Sequence, residues 1–409
     1  MAERKYTGCI HLKRPDEMSS AHLIVGKGER PPFLVRAYRL GAPVRRWLNQ
    51  HLTVMTEELI TMAYECGNQN LHTMGLQIGK SLRRLHKTSL IGLESDVVRL
   101  IGIGKGDGKP LSVLYLGDEV SLKFLIYTMF ADGSVERFNL GRCLTTQMLD
   151  AASLLAYSND LVVFERLVGT KWEPPFGEWI STPRWVRMVI DIPPGTTKAE
   201  MRSYLNQRQK KNIKKVLNEG IYPIISTRFD DLQFFIEKMH IPTIRTRHGE
   251  YAGTPDQKHY LKLAKKGLLL FHCLPDGTRI AGSLNVLRNK YFYAVFCGFL
   301  DGDLQWLEKG ALAADYLYII EYAVENGFRR LDCGEVIPIL SNGLYNHKKR
   351  WGFHTEISPW HVTEWLFWIP GNSQSAWNWI KENPFELQYV SSSCKQKLAQ
   401  YQVQGQIYI

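Results

Sequence analysis

Residues 344–353 read LYNHKKRWGF, which sets Lys348, Lys349 and Arg350 in a row between Tyr345 and the pair Trp351-Gly352. The flanking segments are strongly apolar, so three adjacent cations there call for solvent or for an anionic partner. At the edge of a sheet they would discourage aggregation. Beside a reacting centre they would face phosphate or developing negative charge. Upstream, FRRLDCGEV reads as a strand that delivers Asp332 into a cleft, with Glu335 as a second carboxylate. A carboxylate so placed could take or orient the proton of an incoming amine. It could equally cap the following loop through backbone N–H groups, and both readings of Asp332 stay open. Tyr345 is either a hydrogen-bonding group for a leaving atom or a buried core ring.

Two further groups could meet phosphate. Lys309, Gly310 and Ala311 open the apolar pattern KGALAADYLYIIEYAVENG, a helix that Gly327 ends. The free N–H groups of a helix start make an anion site, unless this is an ordinary helix start. The segment TTKAEMRSYLNQRQKKNIKKVLNEG reads as one helix with a Thr196 or Thr197 cap and Gly220 after its end. It carries Arg202, Arg208, Lys210, Lys211, Lys214 and Lys215 against only Glu200 and Glu219. Such a stripe could follow an RNA backbone or the phosphates of an acceptor, or be a solvated face. The run GIGKGDGK (102–109) is not a phosphate loop, because Lys109 is followed by Pro110 where that motif needs Ser or Thr. It is the turn of a hairpin. Seven cysteines without a C-x-x-C pair exclude a zinc cluster and a disulfide framework as expectations. No metal-ligand spacing and no Ser-His-Asp or Cys-His order stands out.

The elements that must carry these residues follow from periodicity. Residues 1–30 are polar and expected to be loosely ordered, and 33–87 keep apolar residues at helical spacing. DVVRLIGIG and LSVLYLG pair as a hairpin, and KFLIYTMFADGSVERFNL looks like a second one around Asp132-Gly133. Residues 145–157 read as helix and 160–167 as a buried strand. A Pro-, Gly- and Trp-rich break at 168–184 suggests a domain boundary near 185. After it come a strand, the basic helix, a strand over 221–227, a helix over 229–239, a loop through 240–255 and a helix over 256–266. Three antiparallel strands lead into the 311–327 helix and then into FRRLDCG. The KKRWG segment is expected on a strand, with Lys349 and Arg350 on the face opposite Lys348. The aromatic strand HVTEWLFWI closes the series.

An antiparallel run that gives way to a helix and a parallel strand, followed by D-x-G and a K-K/R-x-aromatic-G segment, resembles the GNAT fold as Fem-type peptidyltransferases carry it. Gly327, Asp332, Gly334, Lys348, Trp351 and Gly352 fill the positions of that pattern over roughly 185–370. His347 departs from it, where the family usually has an aromatic such as Phe. The resemblance implies a mixed sheet flanked by helices, preceded by a degenerate GNAT-like unit in the N-terminal half. It implies transfer of an aminoacyl group from aminoacyl-tRNA, or of an acyl group from acyl-CoA, to an amine. The acceptor would be a peptide, a sugar-peptide or a small molecule. In that family the lysine matched by Lys348 lies beside the reacting ester, where its ammonium stabilises the oxyanion. Lys309, Gly310, Ala311 and Arg350 would meet the donor; Lys210, Lys211, Lys214, Lys215 and Tyr345 would meet the acceptor or RNA. Acetyl-CoA enzymes of the superfamily usually show Q/R-x-x-G-x-G/A at the helix start. Here the run is LEKGAL, which favours tRNA as the donor.

The totals agree with that scale. The 409 residues exceed one core and suggest two domains, 1–185 and 186–370, with 371–409 as a polar helical tail. Hydrophobic residues at 44% and charged ones at 22% are those of a globular chain. The net charge of +11 suits RNA, a nucleotide-bearing donor or an anionic membrane surface met peripherally. The first twenty residues lack an apolar h-region and no apolar stretch reaches 18 residues, so a cytoplasmic location is expected. No tightly bound cofactor or metal is expected. The competing class is a basic RNA- or membrane-surface-binding protein that keeps the fold without catalysis.

Overall fold

The computed structural model describes residues 7–14, 17–26, 78 and 94–400, without 106, 169–172, 250–253, 358–362 and 387–388. Apart from Ile78, the helical pattern of 33–87 lies outside the described residues. The chain forms two compact units, one of Met1–Trp185, Ile337–Asn342 and Ser358–Ile409, the other of Val186–Val336 and Gly343–Ile357.

The first unit opens with a hairpin, not a loose segment: β1 (Thr7–Arg14) pairs with β2 (Glu17–Gly26). Through His11 and Leu12 the hairpin extends an edge of the sheet that would otherwise leave its backbone unpaired. β3 (Glu94–Ile103) and β4 (Pro110–Gly117) form the expected hairpin, with Gly108 at positive φ in its turn. The next segment is not a hairpin. Residues 119–129 are a helix, started by Asp118 accepting from the Ser121 N–H at 2.7 Å and burying Leu122, Leu125 and Met129. Only its second half is a strand, β5 (Glu136–Leu144). Helical turns over 145–158 and the buried β6 (Leu161–Leu167) follow as expected, and β7 (Glu178–Pro183) lies inside the presumed break.

In the second unit β8 (Val186–Asp191) leads to two helices rather than one. Lys198–Ser203 starts on a Thr197–Glu200 capping box, and Gln207–Asn218 starts on Asn206, whose side chain accepts from the Gln209 N–H. Two local caps nine residues apart, Thr197 and Asn206, outcompete the single long helix. After β9 (Tyr222–Ser226), a continuous run of α, π and α turns spans 229–248, so residues 240–248 are helix where a loop was expected. The helix Gln257–Ala264, the strands β10 (Gly267–Cys273), β11 (Arg279–Arg288) and β12 (Tyr291–Phe299), and the helix Ala311–Glu325 follow, then β13 (Arg330–Val336). A helix Gly343–Arg350 and a short β14 (His354–Ile357) complete this unit.

The chain then returns to the first unit with β15 (Thr363–Ile369), a helix Gln374–Glu382, β16 (Tyr389–Val390) and a helix Ser392–Gln400. β15 pairs with β6 and β7, and the helix after it buries Trp377, Trp379 and Ile380 in that unit's core. The first sheet runs β16-β7-β15-β6-β4-β3-β5-β1-β2, with β4 and β6 parallel; the second runs β14-β8-β13-β12-β11-β10-β9, with β12 and β13 parallel. Each is thus a mixed sheet flanked by helices. A parallel pair needs a crossover, and the 311–325 helix supplies it in the second unit.

Candidate active site

β12 and β13 pair at Tyr291–Arg330, Phe292–Leu331 and Tyr293–Asp332 and no further, although both strands continue. A register shift against β8 between Asp332 and Glu335, with Gly334 at φ +71°, turns β13 aside. The resulting fork strips backbone groups of their sheet partners, and these must be satisfied some other way.

On the β12 side the 229–248 helical run does so. Thr243 Oγ1 accepts from the Phe299 N–H at 2.7 Å and donates to the Phe299 carbonyl at 3.3 Å. His240 Nδ1 lies 3.0 Å from the Cys297 carbonyl, which can only accept, so the ring donates from that nitrogen. Burial pushes the His240 pKa down, which keeps the ring neutral. The helix reaches the strand because Gly298 has no side chain: a Cβ there would lie 2.5 Å from the Met239 backbone.

On the β13 side Lys348 takes that role. It sits on the helix Gly343–Arg350, not on a strand; Tyr345 and Lys348, three residues apart, share the buried face, and Lys349 and Arg350 are exposed. Trp351 and Phe353 N–H groups close on the Lys348 carbonyl and Gly352 takes φ +87°, so the cationic triplet is the last turn of a helix. Positive charge is favourable at such a terminus. Lys348 is 5% exposed and its Nζ donates to the Cys333 carbonyl. Burial pulls its pKa down, while Cys333, Cys297, Asp332 and Glu335 act in the opposite sense. The two thiols are pushed up by burial, Cys297 to about 11, and stay protonated at neutral pH.

Asp332 stands where the parallel pairing stops. Its Oδ1 accepts from the Gly334 N–H at 2.8 Å, and its Oδ2 is ion-paired with Arg187 of β8, whose guanidinium lies 5.9 Å from the Tyr293 ring centre. Both oxygens hold the bend that opens the fork. The structure therefore brings Asp332 and Lys348 to one place, with Glu335 half-buried just beyond.

Further residues complete the surroundings: His347, which the sequence marked only as out of pattern, and Tyr316, His272 and Asp315, which it did not mark. His347 Nε2 accepts from Trp351 Nε1–H at 3.1 Å, and Trp351 stacks on Tyr316 at 5.5 Å between centres. Burial, then Arg350, Arg247, Lys348 and Arg208, push the His347 pKa down to about 4. His272 Nε2 and Asp315 Oδ1, 2.9 Å apart, tie β10 to the 311–325 helix. His347 and Trp351 stand at the four-residue spacing of one helical turn, whereas no spacing in the sequence joins His272 to Asp315, which come from different elements.

The residues expected from the sequence to meet the donor form a second group. Gly310 caps the 311–325 helix at φ +97° and, having no side chain, makes no side-chain cap bond; Ala311 is buried, and exposed Lys309 lies 5.0 Å from the Trp306 ring centre. The basic helix packs nearby: a Cβ on Gly310 would touch Val216 at 3.4 Å. Arg208, Lys210, Lys211, Lys214 and Lys215 are exposed on it.

Solved structures resemble this chain loosely. A structure of FemX aligns over 66% of this chain and 88% of its own, at 13% identity and a TM-score of 0.37. L-PGS from Bacillus licheniformis aligns over 67% and 85%, at 13% identity and 0.33. A GCN5-related N-acetyltransferase from Sphaerobacter thermophilus aligns over 68% and 83%, at 11% identity and 0.29. These superpositions are too loose to transfer a residue or a substrate. No protein-family model and no curated protein matches the sequence.

Proposed function

We propose that the second unit is an acyltransferase of the GNAT/Fem kind that moves an acyl group to an amine. The observation that carries this is Lys348, a buried amine held at the fork by the Cys333 carbonyl. The acceptor nitrogen attacks the donor carbonyl carbon, the new C–N bond forms, and the carbonyl oxygen becomes an oxyanion facing the Lys348 ammonium. The bond from that carbon to the donor's oxygen or sulfur then breaks, and the proton lost by the amine ends on the departing atom. An activated ester or thioester needs little more than alignment and this stabilisation. Asp332 orients the fork through Arg187 and Gly334.

Between the two donors, aminoacyl-tRNA is favoured. A pantetheine arm carries amides that would seek strand-like bonds in the fork, and His240 and Thr243 already occupy those of β12. The exposed lysines of the 207–218 helix suit an RNA backbone, or an anionic membrane surface near an acceptor. Among the described residues no helix is long and apolar enough to cross a membrane. The test is thermal stabilisation by coenzyme A, acetyl-CoA, and charged and uncharged tRNA, side by side. A ligand at a hundred times its Kd adds about 2.7 kcal/mol. A larger shift with charged than uncharged tRNA is expected; a shift with coenzyme A alone would make acyl-CoA the donor. Salt-sensitive tRNA binding with no transfer from any donor would instead support a non-catalytic RNA-binding protein.

A further inference from the structure

We propose that the cleft between the 192–197 loop, the helix Lys198–Ser203 and Trp351 binds a primary ammonium carried on a short apolar chain. The cleft has a volume of about 500 Å³, within the range of small-molecule sites. Its walls include Ile190, Met201, Leu205 and the buried Trp351, and Tyr204, 80% exposed, adds an aromatic ring to them. Among the described residues, the ionisable carboxylates lining it are Asp191 and Glu200 and no lysine or arginine lines it, in a chain of net charge +11.

Both carboxylates keep capacity for a ligand. Glu200 Oε2 takes the Thr197 N–H at 2.7 Å and the Thr197 hydroxyl at 2.9 Å, which leaves Oε1. Asp191 has only long contacts, 3.5 Å to Arg330 and 3.4 Å to His354, and Arg330 also pairs with Glu356. An anion would meet two negative charges there, and a neutral alkane would leave them idle. The cleft also adjoins the fork, because the Trp351 N–H bonds the Lys348 carbonyl at 2.9 Å. Use of the cleft for the acceptor rests on the acyl-transfer reading; the binding itself does not.

The experiment is a calorimetric titration of the full chain, without donor, with n-hexylammonium, n-hexanol and n-hexanoate. Saturable binding of n-hexylammonium alone is expected. It should weaken at least tenfold in Glu200→Gln combined with Asp191→Asn, and vanish in Leu205→Trp, which fills the cleft. Lys348→Met should bind it like the parent, which separates this inference from the catalytic one. Equal binding of n-hexanol, undiminished binding in the double variant, or no binding to the parent would overturn it. If Leu205→Trp does not fold, the double variant decides alone.

Discussion

Lys348 stands at the balance between burial and charge. Replacing it with Met keeps the volume, frees one carbonyl and removes a buried ammonium, so the stability terms largely offset. The Lys348→Met variant should unfold within about 1 kcal/mol of the parent yet lose about 10²–10³-fold in turnover with charged tRNA. Parent-like turnover would remove Lys348 from the chemistry. Its neighbour His347 makes a pH prediction. Unfolded histidine takes a proton near pH 6.5, whereas the folded ring resists until about pH 4. Its folded pKa is depressed, so the unfolded state binds more protons between these values and stability falls as pH drops through that window. At about 1.4 kcal/mol per unit the loss has a ceiling of about 3 kcal/mol, reduced by solvent reaching the ring. Urea midpoints at pH 7 and 5 should therefore differ less in His347→Phe than in the parent. An equal difference in both would exclude His347 as the source. The sequence pointed to Lys348 and to the odd histidine beside it. It said nothing of Arg187, Thr243 or His240, whose partners sit on other strands and helices.

Among the elements, the strand-helix-strand order around the fork was readable because Gly327, the apolar 311–325 pattern and the flanking strands each obey a local rule. The elements that shape the fork were not. Residues 343–350 look like a strand because aromatic residues bracket a short charged run, and only the buried three-residue spacing of Tyr345 and Lys348 marks a helix. The helical run through 240–248 begins with a π turn, which no 3.6-residue period describes. What holds that run against β12 is a close approach at Gly298. A methyl group there would meet the Met239 and His240 backbones at 2.5 and 2.6 Å, where no side-chain rotation can relieve it. Gly298→Ala should thus push the helix off the strand and break the bonds from His240 and Thr243. The loss should be several kcal/mol, since overpacking and unsatisfied backbone groups add. Amide exchange at Phe299 should rise by an order of magnitude or more at a concentration of denaturant where the parent stays folded. A variant with parent-like exchange would mean that the helix does not depend on this contact.

At the scale of the whole molecule, the chain leaves the first unit at 185, visits it at 337–342, and returns for good at 358. A boundary near 185 could be read from the Pro- and Gly-rich break, but the return could not. An aromatic strand such as β15 suits either sheet, and periodicity reports which face is buried, not which neighbour covers it. In the first sheet β15 is central, paired on both sides, and Trp365, Leu366, Phe367, Trp368 and Ile369 are almost wholly buried. The 374–382 helix adds Trp377, Trp379 and Ile380, and the last helix adds Cys394 and Leu398 to the same core. The described residues of this segment, 371–386 and 389–400, therefore include part of the core. A chain cut after residue 370 would lose Trp377, Trp379 and Phe385 from this core and leave Phe367 without the two rings packed against it. Large-to-small changes at single buried aromatics already cost about 3–5 kcal/mol, comparable with the stability of an ordinary domain. The truncated chain should be recovered insoluble, or soluble with the near-ultraviolet circular dichroism of its tryptophans collapsed, and Trp377→Ala in the full chain should lower the urea midpoint of the first transition. A soluble truncated protein with the parent's spectrum and melting profile would return 371–409 to the role of a tail.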